Sequence, residues 1–139
     1  MAYAYAGFWK MHLGRSADGV ADVEAALSPS PRDPQAPKWQ NFLCYLRNHL
    51  AEWDQAIKEC EKAVAANPGN DGPLGDLTAA YAWAGRDDEA RETARELKRL
   101  DRNHIQFLRT YSDVHDSPTF KAEVARIIEG LRKAGMPET

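Results

Sequence analysis

Two histidines stand where they could hold a metal ion. His12 and His49 lie in segments with the apolar spacing of amphipathic helices, and imidazole is a common zinc ligand. A third residue, Trp83, occupies the corresponding position of a later segment. Helices that pack side by side are about 10 Å apart, so equivalent residues on neighbouring helices do not easily share one ion. The sequence therefore predicts no metal site and places these three side chains along one surface.

The two cysteines, Cys44 and Cys60, are the next candidates for chemistry. A redox-active cysteine needs an exposed thiolate of low pKa, whereas both residues fall on apolar faces of helical patterns and form no CxxC motif. We interpret them as small packing residues between two helices of a cytoplasmic protein. In the SPSP stretch, Ser28 or Ser30 could accept phosphate, but Ser-Pro is also a common turn sequence, and we prefer the turn.

The remaining sequence holds no motif for catalysis or for a cofactor. It lacks a Walker loop, an HExxH pair, a nucleophile elbow and a glycine-rich dinucleotide fingerprint, so we expect a non-catalytic protein. The formal net charge of −3 over 139 residues provides no basic surface for nucleic acid. No run of about 18 apolar residues occurs, and membrane insertion is not expected.

An internal repeat organises the elements that carry these residues. The segment WDQAIKECEKAVAANPGN, which begins at Trp53, aligns with DDEARETARELKRLDRNH, which begins at Asp87. Ala56 then falls on Ala90 and Cys60 on Ala94, and the offset is 90 − 56 = 34 residues. A period of 34 residues is typical of a repeated helix-turn-helix unit.

At these positions the sequence resembles the tetratricopeptide repeat family. Matching positions of the second repeat are Leu43, Cys44, Trp53, Ala56, Cys60, Ala63 and Pro68, and those of the third are Leu77, Tyr81, Gly85, Ala90 and Ala94. A degenerate first repeat carries Gly7, Gly14, Gly19, Val23, Ala26 and Pro31. Arg47, Gln40 and Arg102 depart from the family pattern. The resemblance implies an all-α, right-handed superhelix of three repeats, about 1–33, 37–70 and 71–104, within a single domain over 1–139.

The periodicity predicts six repeat helices and a C-terminal cap. We expect the helices near 2–13, 17–28, 38–50, 53–66, 71–84 and 87–100, followed by a cap at about 105–135. Within the cap, a short helix is expected at 104–111. Ser117 and Pro118 then form an N-cap and N1 pair ahead of an apolar stripe made of Phe120, Val124, Ile127 and Leu131.

The first helix has almost no polar face, because Tyr3, Tyr5, Phe8 and Trp9 surround it. A helix that is apolar all round is normally buried all round. Either an upstream part of a longer protein covers it, which is the interpretation we favour, or two copies of the chain associate there as a homodimer.

The tail SPTFKAEVARIIEGLRKAGMPE resembles the C-terminal end of bacterial class III adenylate and guanylate cyclases that carry tetratricopeptide repeats. The resemblance covers about 60 residues and implies a bacterial signalling context. It carries no catalytic residue, because the chain shows no strand pattern and no pair of aspartates on a sheet for metal ions.

A concave groove lined by the first helix of each repeat is the expected binding site for a protein or peptide partner. Its candidate residues are Tyr5, Phe8, His12, Lys38, Asn41, Tyr45, Asn48, His49 and Trp83. Their aromatic and amide character favours an apolar peptide or helix, although some of the aromatics could instead pack between repeats or under the C-terminal segment. Only Lys38 and Asn41 suit a clamp for a peptide carboxylate, and Asp76 would repel one. We therefore expect an interaction scaffold, with self-association through helix one as the alternative.

Overall fold

A computed structural model describes residues 2–27 and 32–139, with eight helices and no strand in these ranges. The helices are α1 (Ala2–His12), α2 (Ser16–Leu27), α3 (Ala36–His49), α4 (Trp53–Ala66), α5 (Asp71–Trp83), α6 (Asp87–Leu100), α7 (His104–Asp113) and α8 (Pro118–Lys133). The predicted all-α fold is confirmed. Ser28 and Ser30 lie outside the described residues, so the turn predicted there stays a prediction.

The 34-residue repeat is visible in the backbone as well as in the core. Ala56 and Cys60 on α4 are fully or almost fully buried, and so are their counterparts Ala90 and Ala94 on α6. Ala51 and Gly85, also 34 residues apart, both have a positive φ, 58° and 80°, at the turn between the two helices of their repeats. Glycine adopts this left-handed conformation without steric cost, whereas alanine does not. The second repeat therefore keeps the turn geometry without the preferred residue.

Small residues let the two helices of the first repeat approach closely. A Cβ atom at Gly7 would lie 2.6 Å from the carbonyl oxygen of Gly19, and one at Gly19 would lie 2.5 Å from the carbonyl oxygen of Gly7. Backbone oxygens cannot move away as a flexible side chain can. Both positions therefore need glycine for α1 and α2 to pack at this distance.

The helices stack in chain order, and hydrogen bonds join them between and within repeats. The A helices, which we define as α1, α3 and α5, each pack against the B helix that follows, namely α2, α4 and α6. The hydroxyl group of Tyr81 on α5 donates a hydrogen bond to the carboxylate of Glu61 on α4 over 2.5 Å, which links the second repeat to the third. Thr78 donates to the backbone oxygen of Leu74 and lies 2.9 Å from the Thr93 hydroxyl on α6.

The C-terminal helix α8 lies across the A helices. Its start is fixed as predicted, because the Ser117 side chain accepts a hydrogen bond from the backbone nitrogen of Phe120 over 3.1 Å. The predicted apolar stripe is buried, with Phe120 and Leu131 fully inaccessible. This stripe packs against α3, α5 and α7.

Cys44 on α3 and Cys60 on α4 pack between these two helices as predicted, but they also form a disulfide, which the sequence pattern did not predict. Both side chains are completely buried, as the apolar pattern indicated. Their helices are partners within the second repeat, and their Cα atoms are only 4.6 Å apart. The small residues that allow this close packing also bring the sulfur atoms within bonding range.

Reduction of this disulfide should destabilise the protein. The two cysteines are 16 residues apart, and cross-linking a loop of about that length stabilises a protein by about 3 kcal/mol in the chain-entropy model. We expect a reducing agent to lower the free energy of unfolding, measured by urea titration, by up to about this amount. The Cys44→Ala, Cys60→Ala double variant is the control and should not respond to the reducing agent. Two alkylated thiols in the denatured, unreduced wild-type chain would contradict the assignment.

Candidate functional site

The face formed by the A helices holds α8 near their C-terminal ends. At the α1–α2 turn, a Cβ atom on Gly14 would lie 2.7 Å from the Cβ of Thr119, so the first turn of α8 touches the first repeat. Further along, α8 reaches His49 at the end of α3 and Trp83 at the end of α5. One helix therefore contacts all three repeats.

His49 connects α3 to the middle of α8. Its Nδ1 atom lies 2.9 Å from a carboxylate oxygen of Glu123, and both side chains are buried. The guanidinium group of Arg126 donates to the backbone oxygen of His49 over 2.6 Å. The imidazole also stacks on Phe120, with ring centres 5.3 Å apart. These contacts orient α8 in addition to burying its apolar stripe.

Trp83 connects α5 to the second half of α8. Its indole nitrogen donates to the backbone oxygen of Arg126 over 2.9 Å, and its ring stacks with Trp53 at 6.0 Å between centres. Lys133 places its ammonium group 5.2 Å from the Trp83 ring centre. A Cβ atom at Gly130 would lie 2.8 Å from the indole, so this position on α8 has room only for glycine. Trp83 thus binds a helix within its own chain.

A cavity of about 370 Å³ remains between the A helices, α7 and α8. Its lining is mainly apolar and includes the aromatic rings of Phe8, Tyr45, Phe107, Tyr111 and Phe120. Volumes of a few hundred Å³ with apolar walls are typical of pockets that accept small ligands or single side chains of a partner.

A carboxyl group lies in the wall of this cavity. Asp76 on α5 is only 6% exposed, and burial raises its pKa to about 8. The amide of Asn48 faces it from α3 and lowers this pKa in part, although neither Asn48 side-chain atom makes a hydrogen bond of normal geometry. Burial, followed by the nearby charges of Asp76 and Asp71, also raises the pKa of the Tyr45 hydroxyl. Below about pH 8 the Asp76 carboxyl is therefore neutral and able to donate a hydrogen bond.

His12, the last residue of α1, is buried against the C-terminal segment. Its Nε2 atom is hydrogen-bonded to the Tyr111 hydroxyl, and its ring stacks on His115 with centres 4.6 Å apart. Burial, followed by the neighbouring His115, lowers the pKa of His12 to about 4. The imidazole is therefore neutral near pH 7.

The predicted groove residues lie in the cavity wall, in buried contacts elsewhere, or near the chain surface. Phe8, Tyr45 and His49 line the cavity, and His12, His49 and Trp83 are hydrogen-bonded to α7 or α8. Asn48 is buried beside Asp76. The others stay near the chain surface: the Tyr5 ring is 5.2 Å from that of Trp39, Lys38 donates to the Tyr5 hydroxyl over 3.0 Å, and Asn41 is partly exposed.

Sequence reasoning missed the contribution of α7. Phe107, Leu108 and Tyr111 form one wall of the cavity, yet the sequence predicts only a short helix there and assigns it to the cap. Their spacing of i, i+1 and i+4 indicates an apolar helix face. That signal predicts burial of a face but not the cavity beside it.

The raised pKa of Asp76 predicts a specific pH dependence of stability. The folded chain keeps a proton that the unfolded chain releases near pH 4, so the free energy of unfolding should fall as the pH rises to about 8, by at most about 1.4 kcal/mol per pH unit. The lowered pKa of His12 acts in the opposite direction between about pH 4 and 6.5. We therefore expect the free energy of unfolding to fall between pH 6.5 and 8, where only Asp76 of these two groups contributes.

Urea titrations of the wild type and the Asp76→Asn variant across that range measure this effect. The variant should lose the slope, because its amide does not titrate. Asp88→Asn, which changes a carboxylate whose side chain is 96% exposed, is the matched control and should keep the slope. A slope that persists in Asp76→Asn would assign the titration to another group.

Comparisons with known proteins support the fold. Residues 50–112 match the family model described as tetratricopeptide repeat, which covers the second helix of repeat two, repeat three and α7. A search of curated proteins found no significant match.

Two solved structures titled MamA have similar folds. The one labelled MSR-1 gives a TM-score of 0.65 at 19% identity, covering 95% of this chain and 72% of the other. The one labelled AMB-1 gives a TM-score of 0.64 at 20% identity, covering 95% of this chain and 69% of the other. At this level of identity the likeness concerns the fold. Together with the family match, it shows that the chain folds as a tetratricopeptide-repeat superhelix.

Proposed function

We propose that the chain is a non-catalytic protein-interaction scaffold that binds an apolar peptide or helix on the face formed by the A helices. The observation that carries this proposal is α8 itself. An amphipathic helix lies on this face, with its apolar stripe buried and its backbone bound by Trp83. The same face therefore accepts an apolar helix, and we place the partner on the part beside α8 that this helix leaves uncovered.

The cavity beside α8 is the proposed entry point for the partner. Phe107 is 54% exposed at the cavity, whereas Tyr45 is less exposed. An apolar side chain from a partner would therefore pass the Phe107 ring and pack against the Tyr45 ring. Aromatic rings in a concave site are typical anchors of binding energy. Below about pH 8 the neutral Asp76 carboxyl does not repel an anion, contrary to the expectation from the sequence, so the proposed preference for an apolar side chain depends on the apolar wall of the cavity.

The cellular setting is a separate part of the proposal. No helix in the described ranges combines the length and hydrophobicity needed to cross a membrane. The disulfide favours an oxidising compartment over the cytoplasm expected from the sequence, because disulfides are rare in cytosolic proteins. The bacterial cyclase context rests only on the resemblance of the tail, and the present proposal does not depend on it.

Self-association through α1 is a second candidate function, and the exposure of apolar residues in and just after this helix favours it. Tyr3, Trp9 and Leu13 are 66%, 58% and 64% exposed, respectively. Phe8 faces inward instead and stacks on Phe42 with ring centres 4.5 Å apart. The exposed side of α1 therefore offers an apolar surface that a second copy of the chain could cover.

Substitution of Phe107 tests the proposed groove. We expect peptides selected from a random displayed library on the wild-type chain to be rich in Leu, Phe and Trp. Phe107→Ser should weaken a selected peptide about tenfold, because an anchor of the site is removed. Fluorescence anisotropy with the labelled peptide measures this change.

The control for this test is Val114→Ser, which removes another exposed apolar side chain at the end of α7, outside the cavity lining. It should leave peptide affinity unchanged. Equal affinities of the wild type and Phe107→Ser would refute the groove, as would a library that yields no binder.

Light scattering tests the second candidate. Self-association predicts a mass near twice 15.6 kDa at high concentration for the wild type, and a monomer for Trp9→Glu, since a buried charge opposes the contact. Val114→Glu, which also adds a charge at an exposed apolar site, should stay dimeric. A wild-type monomer at two concentrations tenfold apart would exclude this function.

A further inference from the structure

Three side chains meet where α5 begins, α6 ends and α7 begins. The Nδ1 atom of His104 lies 3.4 Å from a carboxylate oxygen of Asp71 and 3.4 Å from one of Asp101. The three ligand atoms all lie within 4.8 Å of one another. His104 is buried, with 1% of its surface exposed, whereas both aspartates are partly exposed. The cluster therefore has a buried nitrogen on one side and two solvent-accessible carboxylates on the other.

The imidazole of His104 has no hydrogen-bond partner at either nitrogen. The 3.4 Å separations exceed the usual hydrogen-bond range of about 2.7 to 3.2 Å for nitrogen and oxygen. A buried polar group without a partner is costly and uncommon in folded proteins. The two carboxylates thus face the same nitrogen without satisfying it.

The chain holds these groups in place by local contacts. Asp101 ends α6, and its other carboxylate oxygen accepts a hydrogen bond from the backbone nitrogen of Asn103 over 3.0 Å. The His104 ring lies against Gly75, where a Cβ atom would come within 2.2 Å of Nε2. Gly75 therefore provides the space for the ring, and the backbone turn orients Asp101 towards it.

The two nitrogen–oxygen separations of 3.4 Å fit a metal ion between the groups. With metal–ligand distances of about 2.1 Å, tetrahedral ligands lie about 3.4 Å apart. One imidazole nitrogen with two carboxylate oxygens suits a borderline divalent cation such as Zn²⁺ better than the hard cation Mg²⁺. Two carboxylates also balance its charge, and the solvent-accessible side leaves room for water as a further ligand.

We propose that Asp71, Asp101 and His104 bind a divalent transition-metal ion. The ion would join the start of α7 to α5 and to the end of α6. Because α7 forms a wall of the cavity, binding would also fix that wall. The site does not depend on whether the cavity binds a peptide.

Zn²⁺ binding to the full, untagged chain tests the proposal by isothermal titration calorimetry and thermal unfolding. We expect one Zn²⁺ per chain and a higher unfolding temperature, because an ion that binds only the folded state stabilises it. Asp101→Asn and Asp71→Asn should each weaken binding at least tenfold. These side chains are partly exposed, so the variants should still fold, whereas removal of buried His104 would disturb packing.

Asp88→Asn is the control for the loss of one negative charge. It changes an exposed carboxylate at the start of α6 and should bind Zn²⁺ as the wild type does. The absence of Zn²⁺ binding would overturn the proposal. So would Zn²⁺ binding that survives both cluster variants, which would point to another group such as His12 with His115. Equally tight binding of Mg²⁺ would overturn the role of His104 as a ligand.

Discussion

The burial of one face of α8 against the A helices is the interaction on which the rest of the site depends. Four side chains carry it: Phe120, Val124, Ile127 and Leu131 are each at most 3% exposed. Burial of a large apolar side chain stabilises a protein by roughly 1.5 to 3 kcal/mol. This packing covers part of the groove that three repeats would otherwise present to solvent, and it creates the cavity between α7 and α8. The surface available to a partner is therefore set by the C-terminal segment as much as by the repeats.

Polar contacts give this packing a defined register. Apolar burial is not directional and would tolerate a shift of α8 along the groove. Two hydrogen bonds join one turn of α8 to the ends of α3 and α5, because Arg126 donates through its side chain to the His49 carbonyl and accepts through its carbonyl from Trp83. The buried pair of His49 and Glu123 adds a third. A shifted helix would leave these buried groups without partners, which is unfavourable.

The cavity also combines two chemical environments. Most of its wall is apolar, whereas Asp76 and His104 bring a carboxyl group and an imidazole to it. Two glycines of α5 make this possible, since a Cβ atom would lie 2.5 Å from the Tyr45 hydroxyl at Gly72 and 2.2 Å from the His104 ring at Gly75. The glycines on the A helix of the third repeat thus leave space for the side chains of Tyr45 from α3 and His104 from α7.

The amino-acid sequence by itself determined the helices, the 34-residue repeat and the N-cap of α8. These features depend on local spacing: small residues such as Ala56 and Ala90 recur at the repeat period, and Ser117 caps the helix three residues ahead of its bonded partner. Tertiary structure alone decided the disulfide, the burial of Asp76 and the position of α8 on the A helices. An apolar stripe shows that a helix face is buried but not which surface covers it, because that choice depends on residues distant in the chain. His12 with Tyr111 and His49 with Glu123 are separated by 99 and 74 residues, and only the folded chain brings them together.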